Sequence, residues 1–212
     1  MTIAFLAAEL AKQELESRLG PGFEALREAR SLEELTGLDA DAYFDLLFEP
    51  DPARIGRLRL LLPRTVIINS VTETLASTDP NFIRLNAWPG FVDRPVAEIA
   101  LAGLRKESEA GRLFASLNWD FSLVPDRPGM VSPRVISMIV NEAYYAWEDQ
   151  VSSREEIDTA MRLGTGYPWG PFEWAGRIGL ARIYGLLRVL QQTDGRYSIS
   201  RALEQEAMLA GA

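Results

Sequence analysis

The side chains able to move a proton at neutral pH in this chain are carboxylates, because histidine and cysteine are both absent. That removes the commonest general base and the commonest metal ligand, together with any thiolate nucleophile or disulfide. The carboxylates crowd at Asp149, Glu155, Glu156 and Asp158. Without ligands of another type, such a cluster reads as a solvated face and a partner for a helix dipole. Glu98 stands alone on an apolar strand, where the ordinary role is a structural hydrogen bond or a solvent edge. Trp88, Trp119, Trp147, Trp169 and Trp174 could line an aromatic pocket, but tryptophans at such positions more often build core. Phosphate chemistry finds no support. The first strand-to-helix turn, Leu6-Ala7-Ala8-Glu9-Leu10-Ala11, holds no glycine, and neither G-x-G-x-x-G nor a P-loop occurs anywhere.

The elements that must position these groups come in two textures. Thr2–Ala7, Tyr43–Phe48, Thr65–Asn69, Phe82–Ala87, Val96–Ala102 and Trp119–Val124 read as strands. Between them Ala8–Leu19, Phe23–Leu38, Pro52–Leu62 and Glu107–Leu117 read as helices, with Gly20-Pro21-Gly22 stopping the first. Alternation of this kind predicts an open, parallel α/β sheet. Beyond Pro125 the pattern is helical: Pro133–Glu148, Glu155–Leu163, Phe172–Gln191 and Ser200–Leu209. The Pro125-Asp126-Arg127-Pro128 segment separates the two, giving expected domains of 1–125 and 126–212.

The 212 residues suffice for one good core or two small domains. A hydrophobic fraction of 47% and a charged fraction of 25% are ordinary for a globular protein. The net charge of −8 disfavours nucleic acid and anionic membrane surfaces, which require basic patches. No apolar run is long enough to span a bilayer, and the apolar start lacks the basic residues of a signal peptide. Together with the missing cysteines, this makes the cytoplasm the expected location.

The densest local signal is Ile157–Gly176, IDTAMRLGTGYPWGPFEWAG. Ser153 and Glu156 form a capping box for the helix that enters it. Gly164 and Gly166 allow positive φ where that helix stops, and Pro168, Gly170 and Pro171 make a rigid corner with Pro171 opening the next helix. The string resembles the D-x-A-M…G…G-x-P-x-G-P-F-E run in the C-terminal domain of the 3-hydroxyacyl-CoA dehydrogenase family. Pro128-Gly129-Met130-Val131 with Arg134 resembles that family's P-G-F-[VI]-x-N-R junction, and Asn141-Glu142-Ala143 its N-E-A. Further upstream, Leu47-Phe48-Glu49, Asn69-Ser70-Val71-Thr72 and Ile83–Trp88 resemble family segments more weakly.

The resemblance implies a Rossmann-like NAD domain, here shortened between the first strand and Tyr43, followed by a helical domain that makes a homodimer. It also implies a site. The family's catalytic histidine falls on Asn86, and its catalytic glutamate on Glu98, twelve positions later. Its substrate-side serine falls on Val71, with Thr72 beside it, and its junction asparagine on Pro133. An amide cannot take up a proton near neutral pH, so Asn86 reads as filling the space of the histidine. The glycine-free turn and Glu9 leave no expected place for NAD. The leading expectation is therefore a dehydrogenase-inactive member that binds an acyl or acyl-CoA ligand. The alternatives are a homodimeric scaffold without a small ligand, and an active acyl-CoA enzyme using Glu98 as base.

Overall fold

Residues 1–20 and 25–210 are described by a computed structural model. They divide into two compact units, Met1–Met130 and Val131–Ala212. The expected stop at Gly20-Pro21-Gly22 and the start of the expected Phe23–Leu38 helix lie partly outside the described residues.

The first unit runs β1 (Ile3–Leu6), α1 (Glu9–Leu19), β2 (Leu26–Glu28), α2 (Leu32–Gly37), β3 (Ala42–Asp45), α3 (Pro52–Arg59), β4 (Thr65–Asn69), β5 (Ile83–Leu85), β6 (Val96–Ala100), α4 (Gly103–Ser116) and β7 (Asp120–Leu123). The strands form one sheet in the order β2-β1-β3-β4-β5-β6-β7, parallel throughout except for the β5–β6 pair. Both faces are covered, which is why β1 and β3 are buried at every position instead of alternating. On one face Phe5, Phe44, Ile67, Leu85 and Ile99 pack with Leu15 of α1 and Phe114 of α4. On the other, Tyr43, Val66 and Ile68 pack with Leu35 of α2 and Leu58 of α3. Local chemistry sets the helix starts. The Ser31 hydroxyl accepts the Glu34 N–H at 3.2 Å, and the Asp51 carboxylate accepts the Arg54 N–H at 2.8 Å with Pro52 next in line.

The expected helix over Phe23–Leu38 is corrected in part. Leu26–Glu28 is instead a strand, paired with Ile3–Phe5, and helix begins only at Leu32. Pairing with the edge of β1 outweighs the strong intrinsic helical preference of Leu, Arg and Glu. The chain leaves β1 to one side for β2 and returns to the other side for β3, so the topological switch point lies at the ends of β1 and β3. The dinucleotide-binding order 3-2-1-4-5-6 has two strands on the far side of its first strand; among the described residues this sheet has β2 alone.

The second unit holds α5 (Ser132–Glu148), α6 (Arg154–Thr165), α7 (Pro171–Ile178), α8 (Leu180–Gln191), a 3-10 turn at Gly195–Tyr197 and α9 (Arg201–Ala210). Its core joins Val140 and Tyr144 of α5, Trp174 and Ile178 of α7, Leu186 and Leu187 of α8 and Leu203 of α9. Gly176 and Gly179 suggest a break or a close helix contact within the expected Phe172–Gln191 helix, and the break falls at Gly179, at φ 94°, dividing it into α7 and α8. The division between units follows Met130, a few residues beyond the sequence-based boundary. The Gly129 N–H donates to the Val71 carbonyl at 2.7 Å, which keeps the 126–129 segment on the sheet unit.

Candidate functional site

The α6–α7 corner shows what the densest motif builds. The capping box on α6 is formed as its sequence demands, and Gly166 ends that helix at φ 70° while Gly164 stays helical. Asp158 then reaches from α6 to the start of α7, where its carboxylate accepts the N–H groups of Phe172 at 2.8 Å and Glu173 at 3.2 Å. Burial pushes the Asp158 carboxyl above the usual range, and those two N–H groups work against the rise. Glu173 in turn accepts the Gly170 N–H at 2.8 Å. The corner is thus structural. It also corrects one sequence expectation: Asp158 is a buried helix cap, whereas Asp149, Glu155 and Glu156 are exposed. Among the described residues no group of carboxylates is arranged to hold a metal.

The tryptophans are divided between the two units. Trp88 and Trp119 belong to the sheet unit, and the Trp119 indole donates to the Arg94 carbonyl at 2.9 Å. Trp169 and Trp174 stack edge-on at 4.7 Å in the helical unit, where the Arg154 guanidinium lies 3.9 Å above the ring of Trp147.

Of the site residues implied by the resemblance, Val71 and Thr72 follow the end of β4, Asn86 follows the end of β5, and Glu98 sits in the middle of β6. The antiparallel register pairs Arg84 with Ala100 and Leu85 with Ile99, which brings Asn86 opposite Glu98, and the Asn86 N–H donates to the Glu98 carbonyl at 3.0 Å. Their side chains make no hydrogen bond to one another. Asn86 is 2% exposed, its Oδ1 accepts the Trp88 N–H at 3.3 Å, and its Nδ2 has no protein partner. Val71 and Thr72 follow β4 in a loop, with Val71 buried and Thr72 half-buried. Pro133 is buried at the start of α5.

Sequence reasoning missed the residue that organises this end of the sheet. Arg84 of β5 is wholly buried. Its guanidinium donates to the Ser70 carbonyl at 2.8 Å, the Val71 carbonyl at 3.1 Å, the Arg127 carbonyl and the Asp126 carboxylate. Asp126 also accepts the Leu75 N–H at 2.9 Å. One cation therefore holds the loop after β4 and the segment after β7 in place. Burial lowers the pKa of Arg84, and Asp126 opposes the shift. The loop after β5 has its own anchor. Glu14 of α1 accepts the Gly90 N–H at 2.7 Å and the Val92 N–H at 3.2 Å, and Trp88 and Phe91 are both buried.

At the switch point the turn from β1 to α1 is Leu6-Ala7-Ala8-Glu9. Its N-cap, Ala8, is extended at φ −72° and offers no capping side chain. Beside it, Asp45 ends β3 fully buried and is paired two-pronged with Arg54 at 2.6 and 2.7 Å. Burial raises the Asp45 pKa while Arg54 opposes it. This pair too escaped the sequence reading.

Fold and sequence together define a Rossmann-like sheet unit joined to a dehydrogenase-type helical unit. Residues 129–211 match the family profile described as 3-hydroxyacyl-CoA dehydrogenase, C-terminal domain. Over 88 residues the chain is 46% identical to the 3-hydroxyadipyl-CoA dehydrogenase of Escherichia coli K12, covering 41% of this chain and 18% of that protein. Over 72 residues it is 40% identical to the 3-hydroxybutyryl-CoA dehydrogenase of Clostridioides difficile, covering 34% of this chain and 26% of that protein. The aligned stretches thus span only 18% and 26% of these curated relatives. The solved structure of (S)-3-hydroxybutyryl-CoA dehydrogenase PaaH1 from Ralstonia eutropha shares the fold at a TM-score of 0.73, with 17% identity over 96% of this chain and 92% of that one. FadB2 of M. tuberculosis does so at 0.74, with 15% identity over 98% and 93%. Residues 129–211 thus carry the family resemblance in sequence, and the solved structures carry it for the fold.

Proposed function

We propose that this protein binds an acyl or acyl-CoA ligand and does not catalyse NAD-dependent hydride transfer. One observation carries the reading: the residue opposite Glu98 is Asn86, whose amide has no basic nitrogen. General-base removal of a hydroxyl proton has no acceptor there. The switch-point turn supports the same reading. Cβ atoms on Ala7 and Ala8 stand where a dinucleotide-binding turn uses glycine, and Glu9 adds negative charge to the first turn of α1. The residues present do not fit a pyrophosphate. Homodimerisation through the helical unit and a cytoplasmic location remain part of the proposal. Exposed Val135 and Leu163 on that unit favour the dimer.

The test is a thermal-shift series with CoA, acyl-CoA esters, NAD and NADP, since a ligand that binds only the native state raises its stability. Stabilisation by acyl-CoA esters and by neither dinucleotide is expected. Stabilisation by NAD at micromolar concentration would overturn the reading. A scaffold without a small ligand is the second reading, favoured by the burial of Trp88 and Phe91 in the loop after β5. It predicts no shift with any of the four.

A further inference from the structure

The end of the sheet opposite the switch point holds a cavity of about 520 Å³. Three connections converge on it. Leu62 and Pro63 come just before β4, Pro80 and Asn81 just before β5, and Ala102 just after β6, which runs antiparallel to β5. Leu62, Pro63, Pro80 and Ala102 give it an apolar wall open to solvent. Its buried lining is charged. Lys106 and Glu109 of α4 both face the cavity, and Lys106 is only 8% exposed.

Lysine is rarely buried this far unless it is paired. The chain has two lysines, Lys12 and Lys106, and its other basic residues are arginines. The ion pairs that fix the sheet unit internally, Arg54 with Asp45 and Arg84 with Asp126, use the rigid fork of arginine. An ammonium is instead a compact charge with three donors that can turn. Lys106 Nζ donates to Glu109 Oε1 at 3.1 Å and to Oε2 at 3.0 Å. Glu109 is held in turn by the hydroxyl of Thr65, the first residue of β4, which donates to Oε1 at 2.6 Å. Both bonds of the ammonium therefore end on one carboxylate, which leaves a third N–H for the cavity. Glu109 Oε2, with a single donor, still has room to accept. An ion pair at this depth loses hydration and adds little stability by itself.

The cavity thus sets a fixed cation and a fixed anion 3.0 Å apart beside an apolar wall. A ligand with a carboxylate alone would satisfy Lys106 and be repelled by Glu109. A ligand with an amine alone would do the reverse. An α-amino acid carries both charges on groups joined through one carbon, so it can lie antiparallel to the pair, carboxylate on Lys106 and ammonium on Glu109. Asn81 Nδ2 is spent on Asp79 at 3.0 Å, which leaves its Oδ1 as a further acceptor for the ammonium. The wall of Leu62, Pro63 and Pro80 suits an aliphatic side chain. We infer that this cavity binds a small apolar α-amino acid as its zwitterion. The inference goes beyond the acyl-binding reading and does not depend on it.

The test compares four probes by calorimetry on the whole chain: leucine, isocaproate (the same skeleton without the ammonium), isoamylamine (without the carboxylate) and glycine (without the side chain). Isocaproate and isoamylamine should each bind about ten- to a hundredfold more weakly than leucine, the worth of one hydrogen bond to a charged group. Glycine should bind about tenfold more weakly or worse, for want of the apolar contact. In Lys106→Met leucine should lose its advantage over isoamylamine, and in Glu109→Gln its advantage over isocaproate. Isotope-labelled lysine gives two side-chain signals in the NMR spectrum, and leucine should move that of Lys106 while leaving that of Lys12 in place. No binding of leucine, equal affinity for leucine and isocaproate, or a shift confined to Lys12 overturns the inference. If either variant fails to fold, the four probes on the unaltered chain decide by themselves.

Discussion

Gly170 lies directly under Asp158. A Cβ at position 170 would stand 2.3 Å from Asp158 Oδ1 and 2.4 Å from the Asp158 Cα. The contact includes backbone, so no rotamer change relieves it. Gly170→Ala is expected to destabilise the protein by about 1–3 kcal/mol or more, as overpacking does. Asp158→Ala should cost about 0.5–2 kcal/mol through the lost cap on α7. Urea unfolding midpoints check both, and a neutral Gly170→Ala would show that the corner can open without penalty.

Arg84→Met should be the more damaging change. It removes a wholly buried cation from the Asp126 carboxylate and from three carbonyl groups. Breaking one side of a buried pair typically costs about 3–5 kcal/mol. The double variant Arg84→Met with Asp126→Asn should recover part of that loss, measured as coupling in a double-mutant cycle.

Purified protein should not oxidise NADH with acetoacetyl-CoA. Losing the general base alone is worth about 10² to 10⁴-fold. Asn86→His should not restore turnover, because the turn from β1 to α1 still carries Ala7, Ala8 and Glu9. Steady NADH consumption that disappears in Glu98→Gln would show instead an active site built on Glu98.

Acid should weaken the sheet unit through Asp79. Burial works to raise its pKa, and the Asn81 N–H at 2.8 Å together with the Arg59 guanidinium at 2.6 Å outweighs burial, so the net shift is downward. An acid with a lowered folded pKa stabilises the fold above its unfolded value of 3.8 and loses that contribution as the pH falls through the folded value. Asp79→Asn should therefore lower stability at neutral pH and flatten the decline on acidification. Unfolding midpoints from about pH 6 down to about pH 2.5 test the sign.

Light scattering at micromolar concentration should give twice the chain mass of 23.6 kDa. Val135→Glu on the exposed side of α5 should shift the population to monomer without unfolding it. A monomer mass for the unaltered chain would remove dimerisation from the proposal.

What could be read from the sequence depended on the range of the interaction. The α6–α7 corner was legible because its capping box, its glycines and Pro171 act over a few residues. The family resemblance, and no feature of the residues themselves, marked Asn86 and Glu98 as a pair, and the antiparallel register that sets them opposite one another was not legible in a pattern that reads as parallel. Arg84 was not legible either. In sequence it is one charged residue in a strand, and its partner Asp126 is 42 positions away. The strand at Leu26–Glu28 was hidden for a related reason, since its three residues have no strand preference and become a strand by pairing with β1. The buried Asp45–Arg54 pair looked like two ordinary charges.

The hold of Arg84 on Asp126 and Arg127 has a bearing on where this chain could be divided or recombined. A cut after residue 125 would leave a guanidinium in the interior of the sheet unit with its counter-charge on the other piece. A cut after Met130 would sever neither that pair nor the bond from Gly129 to Val71. The family match begins at residue 129, close to the last of these ties. A seam just past Met130 is therefore the place at which the helical half could be exchanged with every one of these buried ties kept on the sheet unit.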